Sequence, residues 1–405
     1  MKNFHRSLVA LAFVLGAVTT AASVSAAATP KSKTITCYRV VSNHVQSRHF
    51  TTTHNLCPKG WTKKKPSVNS QLSDVVETPP SANLSETGST LLYPLWNIWA
   101  PAYQGRFSQV SLSTAGTGSG TGIADAANGT VNIGSSDAYL SSTQVTATPG
   151  LLNIPLAISY QVIAYNIPGL HAHLKLNGTI IAGIYTGTIK NWNDTAIASL
   201  NPGVSLPNLP IVALHRSDGS GDTFLFTQYL SKQVASWAST ISYGTTVAFP
   251  SISNGLGESG NGGMVTGCNA TPGCIAYVGI SYLAQILGDG MTYASLANGN
   301  GQYVLPTSTS VSAEAAAFSR QTPNNGTISM IDGKVNGGYP IINYEYAIVN
   351  KSQSSTSTAK AVRSVLEWAI NPKFGNDAQY LSQVRFESLP PKVLAQSVAQ
   401  IKKIN

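Results

Sequence analysis

Three short runs rich in Gly, Ser and Thr, each leading directly into an amphipathic helical pattern, constrain this chain more than any other feature. They are residues 87–90 (TGST), 118–122 (GSGTG) and 216–221 (RSDGSG). A helix start presents unpaired backbone N–H groups and the positive end of the helix dipole, Gly allows a ligand to approach closely, and hydroxyls add donors. A single run of this kind usually only caps its helix. Three such runs, one carrying an arginine, favour a site for a small oxyanion.

Strand patterns alternate with helical patterns from residue 83 to the end of the chain. Strand-like runs at 131–133, 159–165 and 210–214 are separated by helical patterns such as 91–99 and 224–230. Two amphipathic helices, with apolar residues at i, i+3 and i+4 spacing, are predicted in the C-terminal tail. Such alternation predicts mainly parallel sheets covered by helices, over a length sufficient for two ordinary domains.

The first 26 residues have the pattern of a secretory signal peptide. A short basic start precedes an apolar run of 11 residues at 8–18, and small residues precede the expected cleavage before Ala27. The apolar run is too short to span a bilayer. No Cys follows it where a lipid attachment site would place one. We therefore expect an exported protein without an acyl anchor.

The chain has four cysteines, an even number that favours disulfides in an exported protein. Their order along the chain suggests pairing of Cys37 with Cys57 and of Cys268 with Cys274. The second pair would close a tight loop.

Residues 27–66 are predicted to form a small, basic, β-rich module that is clamped by the first cysteine pair. The module is too small to bury a stable core alone, so a disulfide would replace part of that packing. An alternative use of its two cysteines is a metal site with His44, His49 and His54. We expect an inert spacer, with attachment to a wall or anionic polymer as the competing hypothesis. Residues 67–82 are predicted to be a linker.

The net charge of +9 is concentrated near the N-terminus. Residues 1–80 hold 10 of the 25 Lys and Arg but only 2 of the 16 Asp and Glu. The rest of the chain is therefore nearly neutral, whereas a nucleic-acid-binding protein would need a basic surface there. No nucleic-acid partner is expected.

Two motifs are specific enough to indicate a family. WNDTAIASLNP begins at Trp192 and RSDGSG begins at Arg216, and they stand in a series of segments that covers most of 83–395. In the same order, these segments resemble the periplasmic phosphate-binding proteins of high-affinity phosphate ABC transporters. The resemblance implies a two-lobed α/β periplasmic-binding-protein fold with two hinge crossovers.

The resemblance also implies how the lobes divide the chain. Domain I would comprise 83–162 and 343–405, and domain II would comprise 163–342. The hinges would lie at 161–165 and 340–344. Closure around the ligand would create the surface that a membrane permease recognises.

A set of phosphate contacts drawn from both lobes follows from the same resemblance. Backbone N–H groups and hydroxyls dominate the set, together with one guanidinium, which Asp218 would orient, and a buried carboxylate. The implied ligand-binding residues are Thr90, Leu91, Ser119, Asp137, Arg216, Ser220, Gly221 and Asp222.

Asp137 is the residue expected to discriminate between anions. An ionised carboxylate can only accept hydrogen bonds, so it would require a proton on the ligand. Phosphate carries such a proton at neutral pH and sulfate does not, which would exclude sulfate. The alternative is that Asp137 is only an N-cap or turn residue.

Asp222 stands where the family usually has Thr. Our preferred interpretation places it on the solvent side of its helix, favourably located in the first turn, with Thr223 or a water filling the gap. Alternatively, Asp222 is a second acceptor that favours a doubly protonated anion and lower pH.

The main competing class is a secreted phosphatase-like enzyme that uses the same oxyanion pocket. The sequence has no G-x-S-x-G elbow, because residues 134–138 (GSSDA) lack the final Gly. Its seven histidines are scattered. We therefore expect a non-catalytic monomer without cofactor or metal, which binds inorganic phosphate and delivers it to the ABC permease of a phosphate transporter.

Overall fold

The computed structural model describes residues 32–41, 44–63, 76 and 78–405. The chain divides into two compact units, residues 1–68 and 69–405. The predicted signal peptide and most of the predicted linker lie outside the described residues.

The first unit is built on a two-stranded antiparallel hairpin, β1 (Lys33–Val41) and β2 (His44–Thr52). Cys37 is fully buried and forms a disulfide with Cys57. The predicted pairing is confirmed, and the metal-site alternative is wrong because the disulfide removes both thiolates. Within the described residues, no group of three or more His, Cys, Asp or Glu side chains is placed to hold a metal.

The second unit contains twelve strands among the described residues, most of them short. In chain order they are β3 (Ala82–Gly88), β4 (Val110–Gly116), β5 (Ile133–Ser136), β6 (Leu151–Tyr165), β7 (Lys175–Leu176), β8 (Val212–Arg216), β9 (Gly255–Glu258), β10 (Cys274–Gly279), β11 (Thr292–Tyr293), β12 (Ser295–Ala297), β13 (Tyr303–Val304) and β14 (Ile342–Asn350).

Nine of these strands form one curled sheet in the order β4-β3-β5-β14-β6-β10-β8-β9, with β11 paired to β6. The pairs β3/β4, β3/β5, β8/β10 and β8/β9 are parallel, and the pairs that involve β6 or β14 are antiparallel. β7, β12 and β13 form a separate small sheet.

The long strand β6 connects the two parts of the large sheet. Its residues 151–160 pair with β14, and residues 161–165 pair with β10. Apart from Leu152, every residue of β6 is buried, as expected for a central strand covered on both faces. The α/β fold of the periplasmic-binding-protein type is confirmed, while the division into two domains with hinges stays a prediction.

Helices cover the strands. They are α1 (Tyr93–Arg106), α2 (Ser119–Asn128), α3 (Ser142–Ala147), α4 (Gly178–Tyr185), α5 (Thr195–Leu200), α6 (Gly221–Gln233), α7 (Ala235–Thr240), α8 (Gly260–Ala270), α9 (Leu283–Gly288), α10 (Ser308–Ser319), α11 (Thr356–Ile370), α12 (Ala378–Leu381) and α13 (Pro391–Ile401).

Three of these helices begin close to the Gly, Ser and Thr runs found in the sequence. In α1, Pro94 lies at a helix start, where its missing N–H is not needed, and the helix buries Trp96 and Trp99. In α6, the side chain of Ser220 accepts a hydrogen bond from Thr223 N and so caps the helix. A second disulfide, Cys268–Cys274, joins the end of α8 to β10, as predicted.

Among the described residues, no helix is both long and apolar enough to cross a membrane.

Candidate functional site

The first helix start lies between the end of β3 and α1. Ser89 donates a hydrogen bond to Asp137 Oδ1 and accepts one from Leu92 N at 2.9 Å. Thr90 Oγ1 accepts from Asn261 N at 3.2 Å and from Asn261 Nδ2 at 3.0 Å, which leaves its own proton available. This turn therefore carries one available hydroxyl donor, Thr90, and a serine, Ser89, that is hydrogen-bonded to Asp137.

The second helix start, that of α2, contacts the same carboxyl group. Ser119 Oγ donates to Asp137 Oδ2 at 3.3 Å and accepts from Asp137 N at 3.2 Å. Gly118, which precedes the helix, has φ +95°, a conformation that favours glycine. Asp137 follows β5 and is buried, with only 2% of its surface exposed. It caps no helix among the described residues but does lie in a bend after β5, so its role toward a ligand stays a prediction.

The third helix start, that of α6, lies beside a paired guanidinium. Arg216 ends β8 and donates through Nε to Asp218 Oδ1 at 2.6 Å and through Nη2 to Asp218 Oδ2. This two-point pairing fixes the plane of the guanidinium, as the sequence predicts for Asp218. Arg216 Nη1 also donates to Asp222 Oδ2 at 3.1 Å.

Asp222 does not lie on the solvent side of α6, so that interpretation is wrong. Its exposed fraction is 0%. Besides Arg216, it receives hydrogen bonds from Asn261 Nδ2 at 2.6 Å and from Gln161 Nε2 at 3.0 Å. The physical reason is a counter-charge: a buried guanidinium requires anionic partners, and Asp222 is one of them.

Glycines bring the three helix starts into direct contact. Gly118 N donates to Gly88 O at 2.7 Å, which joins the start of α2 to the turn before α1, and Gly120 N donates to Gly219 O at 2.8 Å, which joins the starts of α2 and α6. A β-carbon added to Gly221 would lie 2.5 Å from Ser119 Oγ and 2.3 Å from Asp137 Oδ2. Any larger side chain at Gly221 would therefore push these segments apart.

Several backbone donors at these helix starts are buried but unpaired. Within the described part of the chain, the N–H groups of Leu91, Ser119 and Gly221 meet no hydrogen-bond acceptor. Leu91 and Ser119 are at most 1% exposed, and Gly221 is buried. Buried N–H groups are almost always paired in folded proteins, so donors left open at convergent helix starts indicate an anion site.

The carboxyl groups of the site differ in their pKa. Burial raises the pKa of Asp137 well above its ordinary value, and the charges of Glu345 and Asp222 raise it further. Burial also raises the pKa of Asp222, despite the opposing charge of Arg216. For Asp218, the hydrogen bonds and charge of Arg216 outweigh burial and lower the pKa.

These shifts bear on the role predicted for Asp137, which stays a prediction. Exclusion of sulfate requires an ionised carboxylate, whereas the raised pKa of Asp137 favours its protonated form when no ligand is bound. The neighbouring charges and hydrogen bonds therefore decide whether Asp137 accepts or donates toward a ligand.

The structure thus brings together six of the eight predicted residues through hydrogen bonds or close approach, and Leu91 and Ser220 lie next to Thr90 and Gly221 in the chain. Four further residues of this cluster were not predicted from the sequence. Asn261 stands in a fourth glycine-rich helix start, the GNGG of α8, which has the same design as the other three. Glu345 is a lone acid within an apolar strand run, a pattern that signals a functional group. Ser89 lies in the 87–90 run but was not chosen as a contact, and Gln161 carries no distinctive signal.

Residues 75–373 match the PBP superfamily domain. The phosphate-binding protein PstS of Xylella fastidiosa (strain Temecula1) is 33% identical over 344 residues, covering 82% of this chain and 91% of the relative. PstS of Methanocaldococcus jannaschii is 32% identical over 323 residues, covering 75% and 82%.

The chain belongs to the phosphate-binding protein family.

Two solved structures share the fold of this family member. A high-affinity periplasmic phosphate-binding protein (PfluDING) bound with phosphate aligns with a TM-score of 0.62 at 23% identity, covering 78% of this chain and 92% of that chain. A phosphate-binding protein from Stenotrophomonas maltophilia aligns with a TM-score of 0.62 at 19% identity, covering 77% and 92%. At this identity the likeness concerns the fold alone.

Proposed function

We propose that this protein is an exported, non-catalytic solute-binding protein that captures inorganic phosphate and delivers it to a membrane ABC permease. One observation carries the proposal: three helix starts, with unpaired buried N–H groups, meet around one guanidinium and one buried carboxyl group. The names of the relatives, which are phosphate-binding proteins, support the same ligand.

The chemistry of the site suits a tetrahedral anion that has lost its water. Each charged oxygen left without a partner in a buried site would cost several kcal/mol. Neutral N–H and hydroxyl donors can satisfy these oxygens, and Arg216 adds one positive charge. The proposed contacts are Thr90, Leu91, Ser119, Asp137, Arg216, Ser220, Gly221 and Asp222.

The contacts come from both parts of the large sheet. Thr90, Ser119 and Asp137 follow strands on one side of β6, and Arg216 and Ser220 follow β8 on the other. A ligand that binds both sets stabilises the closed form over the open form, which is how hinge closure is driven. The closed monomer is the form that we expect the permease to recognise.

Calorimetry on the purified protein, first stripped of ligand, tests this function. We expect binding of phosphate with one site per chain and no measurable binding of sulfate at the same concentration. An absence of phosphate binding would contradict the proposal.

An assay for hydrolysis of a phosphomonoester, with and without divalent metal, tests the competing class. We expect no turnover above a protein-free control. Turnover that disappears when Arg216 is replaced would support the phosphatase-like alternative instead.

A further inference from the structure

A second buried carboxyl group, Glu345, lies behind Asp137. It belongs to β14, which pairs with β5 and β6, and its exposed fraction is 0%. Its Oε1 accepts hydrogen bonds from Ser159 Oγ and, at 3.1 Å, from Asn343 Nδ2. A charged residue buried in the centre of a sheet is costly unless it has a partner or carries a proton.

Glu345 is linked to Asp137 through Asn343. The same Asn343 Nδ2 that donates to Glu345 also lies 3.3 Å from Asp137 O. The other oxygen of Glu345, Oε2, has no hydrogen-bond partner of good geometry within the described residues. This open oxygen leaves Glu345 free to exchange a proton with the neighbouring carboxyl group.

The pKa values agree with a carboxyl pair that shares protons. Burial raises the pKa of Glu345 to about 7, while the neighbouring Asp137 carboxyl group and the donors Ser159 and Asn343 oppose the rise. Burial and then the charge of Glu345 raise the pKa of Asp137. Asp222 is the other ionisable group that acts on both, and its own charge is opposed by Arg216.

We propose that Glu345 is a positioning residue that receives the proton of Asp137 when phosphate binds, so that Asp137 meets the ligand as an ionised acceptor. This inference rests on the proposed phosphate-binding function. In the transfer, the proton leaves the carboxyl group of Asp137 and bonds to Oε2 of Glu345. Asp137 then accepts a hydrogen bond from the hydroxyl group of the phosphate, which keeps its proton, and no proton enters or leaves the protein.

Ser89 and Ser119 support the ionised state of Asp137. Their hydroxyls donate to its two oxygens, and donors to a carboxylate favour its charged form. Protonated Glu345 would add a third donor. The selectivity for a protonated anion therefore depends on Glu345 as well as on Asp137.

Two substitutions separate this role from a purely structural one. Glu345→Gln cannot take the proton, but its amide permanently presents the neutral donor that protonated Glu345 would present, so that Asp137 can lose its proton to solvent and stay ionised. It also keeps an oxygen for Ser159 and Asn343, and we expect it to discriminate against sulfate as the wild type does. Glu345→Met removes both the proton acceptor and the donor, so that burial alone acts on Asp137. Asp137 would then stay protonated and could donate to sulfate, and we expect the ratio of sulfate to phosphate affinity to rise at least about tenfold.

Glu314→Gln is the matched control. Glu314 is fully buried in α10, accepts from Gly333 N at 2.7 Å, and has a pKa raised by burial to about 7. It lies outside the described site, so we expect no change in the affinity ratio. If Glu345 had only a structural role, Glu345→Met would weaken the binding of phosphate and of sulfate equally. The ratio of the two affinities would then be unchanged, which would overturn the proposal.

Infrared difference spectroscopy keeps the proposal testable if Glu345→Met does not fold. With phosphate bound, the protonated carboxyl band should come from Glu345 and be absent in Glu345→Gln. A band that persists in Glu345→Gln would place the proton elsewhere and refute the transfer. If the wild type failed to bind phosphate, the proposed function would fail as well. If the wild type binds phosphate but its protonated carboxyl band is not that of Glu345, only this inference is refuted.

Discussion

Arg216 and Asp137 lie on two sides of the same site, and the structure surrounds them differently. Arg216 is paired by hydrogen bonds with two carboxyl groups, those of Asp218 and Asp222. Asp137 is surrounded by hydroxyls and by a second carboxyl group, Glu345, and its pKa is raised as a result. The first arrangement fixes a charge in place, and the second leaves a proton free to move. The difference suggests that one side supplies affinity and the other supplies selectivity.

The largest effect is expected from removal of the fixed charge. Arg216→Met would leave the buried Asp222 and the partly exposed Asp218 without their cation, and loss of one partner from a buried pair costs about 3–5 kcal/mol. We expect phosphate affinity to fall at least about a hundredfold. Titration calorimetry measures this, with Arg320→Met at an exposed position as the control. A loss below threefold would show that Arg216 does not supply the affinity.

Asp137→Asn tests the selective side. The amide can donate to an unprotonated oxygen, so sulfate should compete with phosphate at least about tenfold better than in the wild type. A competition assay with labelled phosphate measures the change, and Asp289→Asn, at an exposed position, is the control. Unchanged competition by sulfate would remove Asp137 from its assigned role.

Asp222 lies between the two sides and should give a smaller, pH-dependent effect. Its pKa is raised by burial, so it is neutral in acid and becomes a negative charge beside the ligand as the pH rises through that pKa. Wild-type affinity should therefore fall with rising pH more steeply than the affinity of Asp222→Asn. The affinities of both proteins are measured from about pH 4 to 8. Because phosphate ionises in the same way in both series, its ionisation cancels when the two pH profiles are compared. Parallel pH profiles would show that Asp222 does not titrate in this range.

Stability should depend on pH through the side that holds Asp137. Glu86, in β3 of this side, is buried, and burial raises its pKa to about 8. Because its ordinary pKa of 4.5 is lower, the folded protein binds protons more tightly, and stability falls as the pH rises from 4.5 to 8. The limiting slope is about 1.4 kcal/mol per pH unit for one group. Denaturant unfolding at pH 5 and 8 should show a smaller loss in Glu86→Gln, and an equal loss would contradict this assignment.

The smallest effect is expected from the first unit, which contributes to neither side. Deletion of residues 27–80 should leave phosphate affinity within about twofold, because the proposed contacts all belong to the second unit. A sharp loss of affinity would contradict the spacer interpretation.

The sequence predicted the parts of the site that depend on local chemistry. Helix starts with Gly, Ser and Thr are visible as runs, and the cysteine order gave both disulfides. It did not predict which way Asp222 points, because the first turn of a helix has both a buried and an exposed side. That choice depends on Arg216, Asn261 and Gln161, which come from three other segments. The Asp137–Glu345 pair was missed for the same reason, since the pairing of β14 with β5 joins residues more than 200 positions apart.

A crystal structure of the protein with phosphate tests the central claim most directly. We expect one tetrahedral anion enclosed by the starts of α1, α2 and α6, within hydrogen-bond distance of Ser119, Asp137, Arg216 and Ser220. A phosphate bound elsewhere, or a closed molecule that admits the anion at none of these helix starts, would contradict the account.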